Sequence, residues 1–145
     1  MGYMIKLSDY VMNFLVSKGV INVFMITGGG AMHLNDSLGR CKKLKYTCFM
    51  HEQALAIAAE AYGQFTNNMG VCMVTTGPGS TNTLTGVAAA WMDSTPMLIV
   101  SGQVKREDLC HGKGLRQQGF QEIDIVPIVS SITKYSVTVT DPGTI

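Results

Sequence analysis

Apolar positions along the chain fall into short continuous runs, separated by glycine-bearing or polar breaks and by stretches of helical spacing. Ser8 precedes Val11, Phe14 and Leu15 at helical intervals, with Lys18 and Gly19 as the stop, so the first predicted element is a helix capped by Ser8. Residues 20–26 form a nearly unbroken apolar run rich in Val, Ile and Phe, which breaks at Thr27-Gly28-Gly29-Gly30 before a helical stretch from Ala31. That pattern predicts a buried strand, a glycine loop and a helix. The rhythm returns with a strand over 45–50 and an Ala-rich helix over 51–65, then a strand over 71–75 and a helix over 80–91. A fourth run, 96–101, leads into a polar, glycine-containing loop over 102–119. Residues 135–140 read as a last strand and Asp141-Pro142-Gly143 as the opening of a further helix, so a longer protein is expected.

Strands alternating with helices predict an α/β domain: an open, mostly parallel sheet with helices on both faces, joined by right-handed crossovers. At 145 residues, one domain with a full hydrophobic core is the expectation.

Composition changes this picture in one respect. Only 14% of residues are charged against 46% hydrophobic, which suggests that part of the surface is meant for another chain or domain. A net charge of +1 offers no field for a phosphate backbone, and the short run Lys42, Lys43 and Lys45 reads as a solvated helix end, so nucleic acid is not an expected partner. Cys41, Cys48, Cys72 and Cys110 are far apart with no ligand-like spacing, as expected for reduced thiols in a cytoplasmic protein. Residues 1–9 lack the pattern of a signal peptide, and no apolar run has the length of a membrane span.

In an open parallel sheet, ligands sit outside the carboxyl ends of the strands, where the loops at Gly28 to Gly30, His51-Glu52 and Gly77 to Asn82 all fall. Neither glycine loop completes a dinucleotide fingerprint: Gly28-x-Gly30 is followed by His33 and Gly77-x-Gly79 by Asn82 at the position of the third glycine. Pro78 also removes a backbone donor that a phosphate cradle would need. Glu52 opens a helix directly after an apolar strand. A carboxylate there is read first as complementing the helix dipole, with proton chemistry at the ligand edge as the alternative.

The ordered set His51-Glu52-Gln53-Ala54, Thr76-Gly77-Pro78-Gly79-Ser80-Thr81-Asn82, Ser101-Gly102-Gln103-Val104 and Phe120-Gln121-Glu122 resembles the N-terminal, pyrimidine-binding domain of thiamine diphosphate-dependent enzymes of the acetohydroxyacid (acetolactate) synthase type. The resemblance runs across essentially the whole chain. It implies that Glu52 hydrogen-bonds the cofactor aminopyrimidine and activates it by proton exchange. It also implies that Pro78 and Asn82 lie near the pyrimidine, that Gly28, Gly29 and Gly30 let the backbone approach it, and that Gln121 faces the reacting centre. Phe120 borders that centre on the same reading, with core packing as its alternative.

Some features depart from the family pattern. The segment Leu109-Cys110-His111-Gly112-Lys113-Gly114-Leu115-Arg116 lengthens the loop on the substrate side, and a single His111 stands where simple 2-keto-acid decarboxylases usually carry two adjacent histidines. A carboligase is therefore favoured over a plain decarboxylase. That loop and residues 27–36 are similar to acetolactate synthase-like proteins associated with surface-sugar biosynthesis. The family's Gly-Asp-Gly motif, which binds the diphosphate through Mg²⁺, is not in this sequence, so 1–145 is expected to be the pyrimidine-binding domain alone, with central and diphosphate-binding domains elsewhere. The resemblance further implies a 2-keto acid substrate and a homodimer or homotetramer, and it leaves open whether FAD binds. The alternative from another class is a stand-alone binding or regulatory module that keeps the fold without catalysis.

Overall fold

The structure, a computed structural model, describes residues 4–110 and 112–145. His111, singled out above, lies outside the described residues.

Four strands, β1 (Asn22–Met25), β2 (Lys45–Cys48), β3 (Gly70–Val74) and β4 (Met97–Ser101), form one sheet in the order β2-β1-β3-β4. Every pairing is parallel, with Asn22 opposite Lys45, Phe24 opposite Cys72, and Gly70 opposite Met97. The helices are α1 (Leu7–Ser17), α2 (Met32–Arg40), α3 (Glu52–Thr66), α4 (Pro78–Thr81), α5 (Leu84–Met92) and α6 (Ile125–Val129).

The alternation of side chains along a strand divides the core in two. Val23, Met25, Val71 and Met73 face one side, where they pack with Met12 and Leu15 of α1 and Leu38 of α2. Phe24, Cys72 and Val74 face the other and pack with Leu55, Ala56 and Ala59 of α3. The expected α/β architecture, with helices covering both faces of a parallel sheet, is what the chain adopts. Among the described residues, no helix is long and apolar enough to cross a membrane. The four cysteines are free, and burial pushes the Cys72 thiol well above its usual range.

Several local expectations are corrected. Lys6, not Ser8, occupies the N-cap of α1; Ser8 lies in the first turn, buried, and accepts a hydrogen bond from Ser37 Oγ at 2.8 Å. Phe14 points outward under the Lys18 ammonium, 5.1 Å from the ring centre, while Met12 and Leu15 fill the core. The helix expected over 80–91 begins earlier, with Pro78 at its first position, and breaks at Asn82-Thr83. Proline suits that position because its missing N–H would be unsatisfied there anyway. Thr83 Oγ1 donates to Ser80 O at 2.7 Å, a local bond that competes with continuous helix.

Residues 135–140 form no strand and lie largely exposed. A strand exists only through a ladder, and no neighbour is offered to this segment among the described residues. The helix expected after it is a single 3-10 turn, Pro142–Thr144, capped by Asp141 Oδ1, which accepts from Gly143 N at 2.9 Å. In α3 and α5, Leu55, Ala56, Ala59, Val87 and Ala90 are buried, while the apolar side chains of Ile57, Phe65, Trp91 and Met92 are exposed.

Candidate functional site

Because all four strands run the same way, the loops that leave them share one edge of the sheet. Gly28 to Gly30 follow β1, His51 and Glu52 follow β2, the Gly77 loop follows β3, and Gly102-Gln103 follow β4. The parallel sheet alone thus gathers segments as far apart in sequence as Gly28 and Gln103.

His51 caps α3, its Nδ1 accepting from Gln53 N at 3.1 Å, which leaves Glu52 as the first helical residue. Asn82, at the end of α4, donates from Nδ2 to Glu52 Oε2 at 3.0 Å. A Cβ placed on Gly79 would lie 2.6 Å from Thr75 Cγ2, so the loop comes this close to Thr75 only because the residue is glycine, and it would meet Glu52 Oε1 at an ordinary 3.4 Å. Among the described residues no donor reaches Glu52 Oε1 within hydrogen-bond distance. A shallow depression of about 340 Å³ is lined by His51, Gln53, Ala54 and Ile57, and not by Glu52. Pro78 is exposed.

The glycines after β1 serve the packing of loop on loop. A Cβ on Gly28 would overlap the Thr75 side chain, one on Gly30 would fall 2.9 Å from Thr76 Cγ2, and Gly30 N donates to Thr75 Oγ1 at 3.1 Å. Gly102 has no room for a Cβ against the Gly30 carbonyl. Gly29 alone faces open space.

Gln121 is exposed with a φ of 55°, and its carbonyl oxygen sits where a Cβ on Gly77 would be. Gly77 itself has φ 59° and ψ −122°, a combination reserved for glycine. The structure therefore brings Gln121 to the same edge as Glu52, Pro78 and Asn82. Phe120 is 83% exposed, which removes core packing as its explanation.

The family described as thiamine pyrophosphate enzyme, N-terminal TPP binding domain, matches residues 5–128. The chain belongs to this family. It is 40% identical to the acetolactate synthase large subunit of Cyanidium caldarium over 135 residues, 91% of this chain and 22% of that protein. It is 38% identical to the chloroplastic acetolactate synthase 2 of Zea mays over 94% of this chain and 20% of that protein, and 39% identical to the acetolactate synthase of Arthrospira platensis over 86% and 21%. The chain spans about a fifth of the length of these relatives.

Within this TPP-binding domain, the residues that hold the loops together were not singled out from sequence. Thr75 receives Gly30 N and, at its carbonyl, Ser101 Oγ at 3.2 Å. Thr76 Oγ1 donates to Gln103 Oε1 at 2.7 Å, and Gln103 Nε2 donates to Ile123 O at 3.1 Å. The signal for them was present, since Thr76 and Gln103 belong to two of the four motifs that carried the resemblance. Glu122 is buried and accepts three backbone N–H bonds, and its carboxyl is held down to about 2, first by Cys110 N–H and against the opposing effect of desolvation. The neighbouring Cys110 thiol is pushed up by desolvation, then by its hydrogen bond to Glu122 and by the Glu122 charge. Among the described residues, no three His, Cys, Asp or Glu side chains converge to hold a metal ion.

Proposed function

We propose that this chain is the pyrimidine-binding domain of a thiamine diphosphate-dependent, acetolactate synthase-like carboligase or lyase acting on 2-keto acids, with Glu52 as the residue that activates the cofactor. The observation that carries the reading is the Glu52–Asn82 pair at the carboxyl edge of the sheet. Asn82 engages one carboxylate oxygen and fixes the rotamer, while Oε1 remains open toward Gly79. A carboxyl group with one anchored and one open oxygen fits an aminopyrimidine ring nitrogen, which needs a partner able to give and take a proton.

When bound, thiamine diphosphate supplies the thiazolium carbon that attacks a 2-keto group and stores the electron pair released at it. Glu52 would hold and return the proton at the pyrimidine nitrogen. Pro78 and the Gly28 to Gly30 backbone would border the ring, and Gln121 would face the substrate. The central and diphosphate-binding domains, and Mg²⁺ on oxygen ligands, would belong to other parts of the same cytoplasmic enzyme, and a homodimer or homotetramer would complete each site.

The test is hydrogen–deuterium exchange at the thiazolium carbon, followed in the full-length enzyme. Glu52→Gln keeps the shape of the side chain and loses the exchangeable proton, so exchange should slow by at least about a hundredfold. Unchanged exchange, or a wild-type protein with no 2-keto acid turnover, would leave the stand-alone binding module as the better reading.

A further inference from the structure

Residues 102–120 leave the sheet edge after β4 and return to it at Gln121. Residues 105–107 and 112–118 of the loop are exposed. Lys113 Nζ, which donates to Glu107 O and Gln118 Oε1, and Gln118 Nε2, which donates to Glu107 O, brace its exposed side, and one buried side chain holds it from within. Glu122 Oε1 accepts from Cys110 N at 2.7 Å, and Oε2 accepts from Gln118 N at 3.2 Å and Gly119 N at 3.1 Å. The outgoing limb and the returning limb of the loop therefore meet on one carboxylate, which is 8% exposed.

The same turn is fastened on either side of Glu122. One residue before it, the Gln121 carbonyl rests on Gly77. One residue after it, the Ile123 carbonyl accepts from Gln103, whose own Oε1 accepts from Thr76. Segment 121–123 is thus tied to the loop after β3, to the loop after β4, and to the 110–119 loop.

We infer that Glu122 is a positioning residue, whose carboxylate holds the 110–119 loop and the Gln121 turn together as one wall of the substrate pocket. The inference deepens the proposed function and rests on its placement of Gln121 at the reacting centre. Glu122 touches neither cofactor nor substrate; it acts by fixing backbone. Its charge suits that task, because an anion accepts several N–H bonds that a neutral amide cannot match.

The experiment uses Glu122→Gln and Glu122→Asp in the full-length enzyme, with pyruvate and 2-ketobutyrate as probes. Glu122→Gln replaces one of the two accepting oxygens with an NH₂ donor that faces backbone N–H groups and removes the charge. Amide exchange at Cys110, Gln118 and Gly119 should accelerate at least tenfold while amides of β1 and β3 stay protected. KM for the keto acids should rise by about ten- to a hundredfold, as expected for loss of positioning. Exchange at the cofactor thiazolium carbon should match wild type, and Glu122→Asp, which keeps the charge, should recover part of both losses. Faster loop amides with unmoved KM would overturn the inference, and so would loss of protection throughout β1 and β3. Failure of the underlying reading has a different signature: Glu52→Gln would then leave thiazolium exchange untouched.

Discussion

The carbonyl oxygen of Gln121 occupies the position that a Cβ on Gly77 would take, so the turn carrying Gln121 and the loop after β3 fit together only without a side chain at residue 77. Both residues have positive φ, 59° at Gly77 and 55° at Gln121. Gly77→Ala should therefore destabilise the domain by about 1–3 kcal/mol from backbone strain alone. The overlap adds to this and displaces Gln121. Thermal unfolding reads the first effect and a changed product ratio in the full-length enzyme reads the second; an unshifted midpoint would contradict the geometry.

Gly86 of α5 meets α3 in the same manner, a Cβ there falling 2.6 Å from Ala56 Cβ and 2.9 Å from Ile57 N. Ala56 lies one turn beyond Glu52, and α5 begins two residues after Asn82. Gly86→Val should separate the helices, cost about 1–3 kcal/mol as overpacking, and loosen the Glu52–Asn82 bond. Denaturant unfolding together with an Asn82 side-chain amide signal shifted toward its solvent value would show it.

The four strands of the sheet were legible because a parallel sheet covered on both sides demands apolar runs such as 20–26. The helix breaks were less legible. Thr83 reads as ordinary helix until its hydroxyl is seen bonding Ser80 O, and Ser8 reads as a cap until Ser37 takes its hydroxyl. Residues 135–140 have strand composition, but pairing is a tertiary property that no alternation of side chains supplies. At the site, the place of Glu52 at a helix start was legible, whereas its proposed role came only from the motif resemblance. The clamps at Gln103 and Glu122 were not legible, because each depends on contacts with segments 20 or more residues, or an entire loop, away.

Gln121 is exposed at the ligand edge and, on the proposed reading, meets substrate rather than cofactor. Gln121→Ala in the full-length enzyme should change KM and product partition among 2-keto acids while leaving thiamine diphosphate affinity within about threefold, since binding effects of exposed truncations are small. Cofactor titration beside product analysis separates the two. A large fall in cofactor affinity with unchanged products would remove Gln121 from the substrate side.

Acid should release the 110–119 loop before the sheet. The Glu122 carboxyl is lowered from 4.5 to about 2, first by Cys110 N–H, against desolvation, with Gly119 and Gln118 N–H adding to the effect. A depressed folded-state value means that the stabilisation is complete above about pH 4.5 and is lost as pH falls toward 2. Amide shifts of Cys110, Gln118 and Gly119 followed across that window should move together. A transition above pH 5 would assign the loop to some other group.

The 145-residue chain on its own should bind thiamine diphosphate weakly and should self-associate. Its contacts to the cofactor would be those around Glu52, Asn82 and Pro78, which reach one ring and a few polar atoms. Affinity from so small a fragment is bounded by the number of atoms engaged. The metal and diphosphate, which would anchor the rest of the ligand, find no convergent acidic cluster among the described residues. On the outer side of α3 and α5, Ile57, Trp91 and Met92 are 44%, 46% and 75% exposed, and Phe65 at the end of α3 is 92% exposed. Apolar side chains gathered in this way favour burial against another surface, and methionine adapts to whatever it meets. Two copies of the chain offer each other that surface when no other domain is supplied. Isothermal titration with thiamine diphosphate and Mg²⁺, run beside light scattering, measures both quantities. The expected result is a dissociation constant weaker than about 100 μM, corresponding to less than about 6 kcal/mol, in a sample larger than a monomer. Adding the two substitutions Trp91→Gln and Met92→Gln should restore the monomer without changing the weak affinity. Micromolar binding by a strictly monomeric chain would mean that this domain holds a complete site.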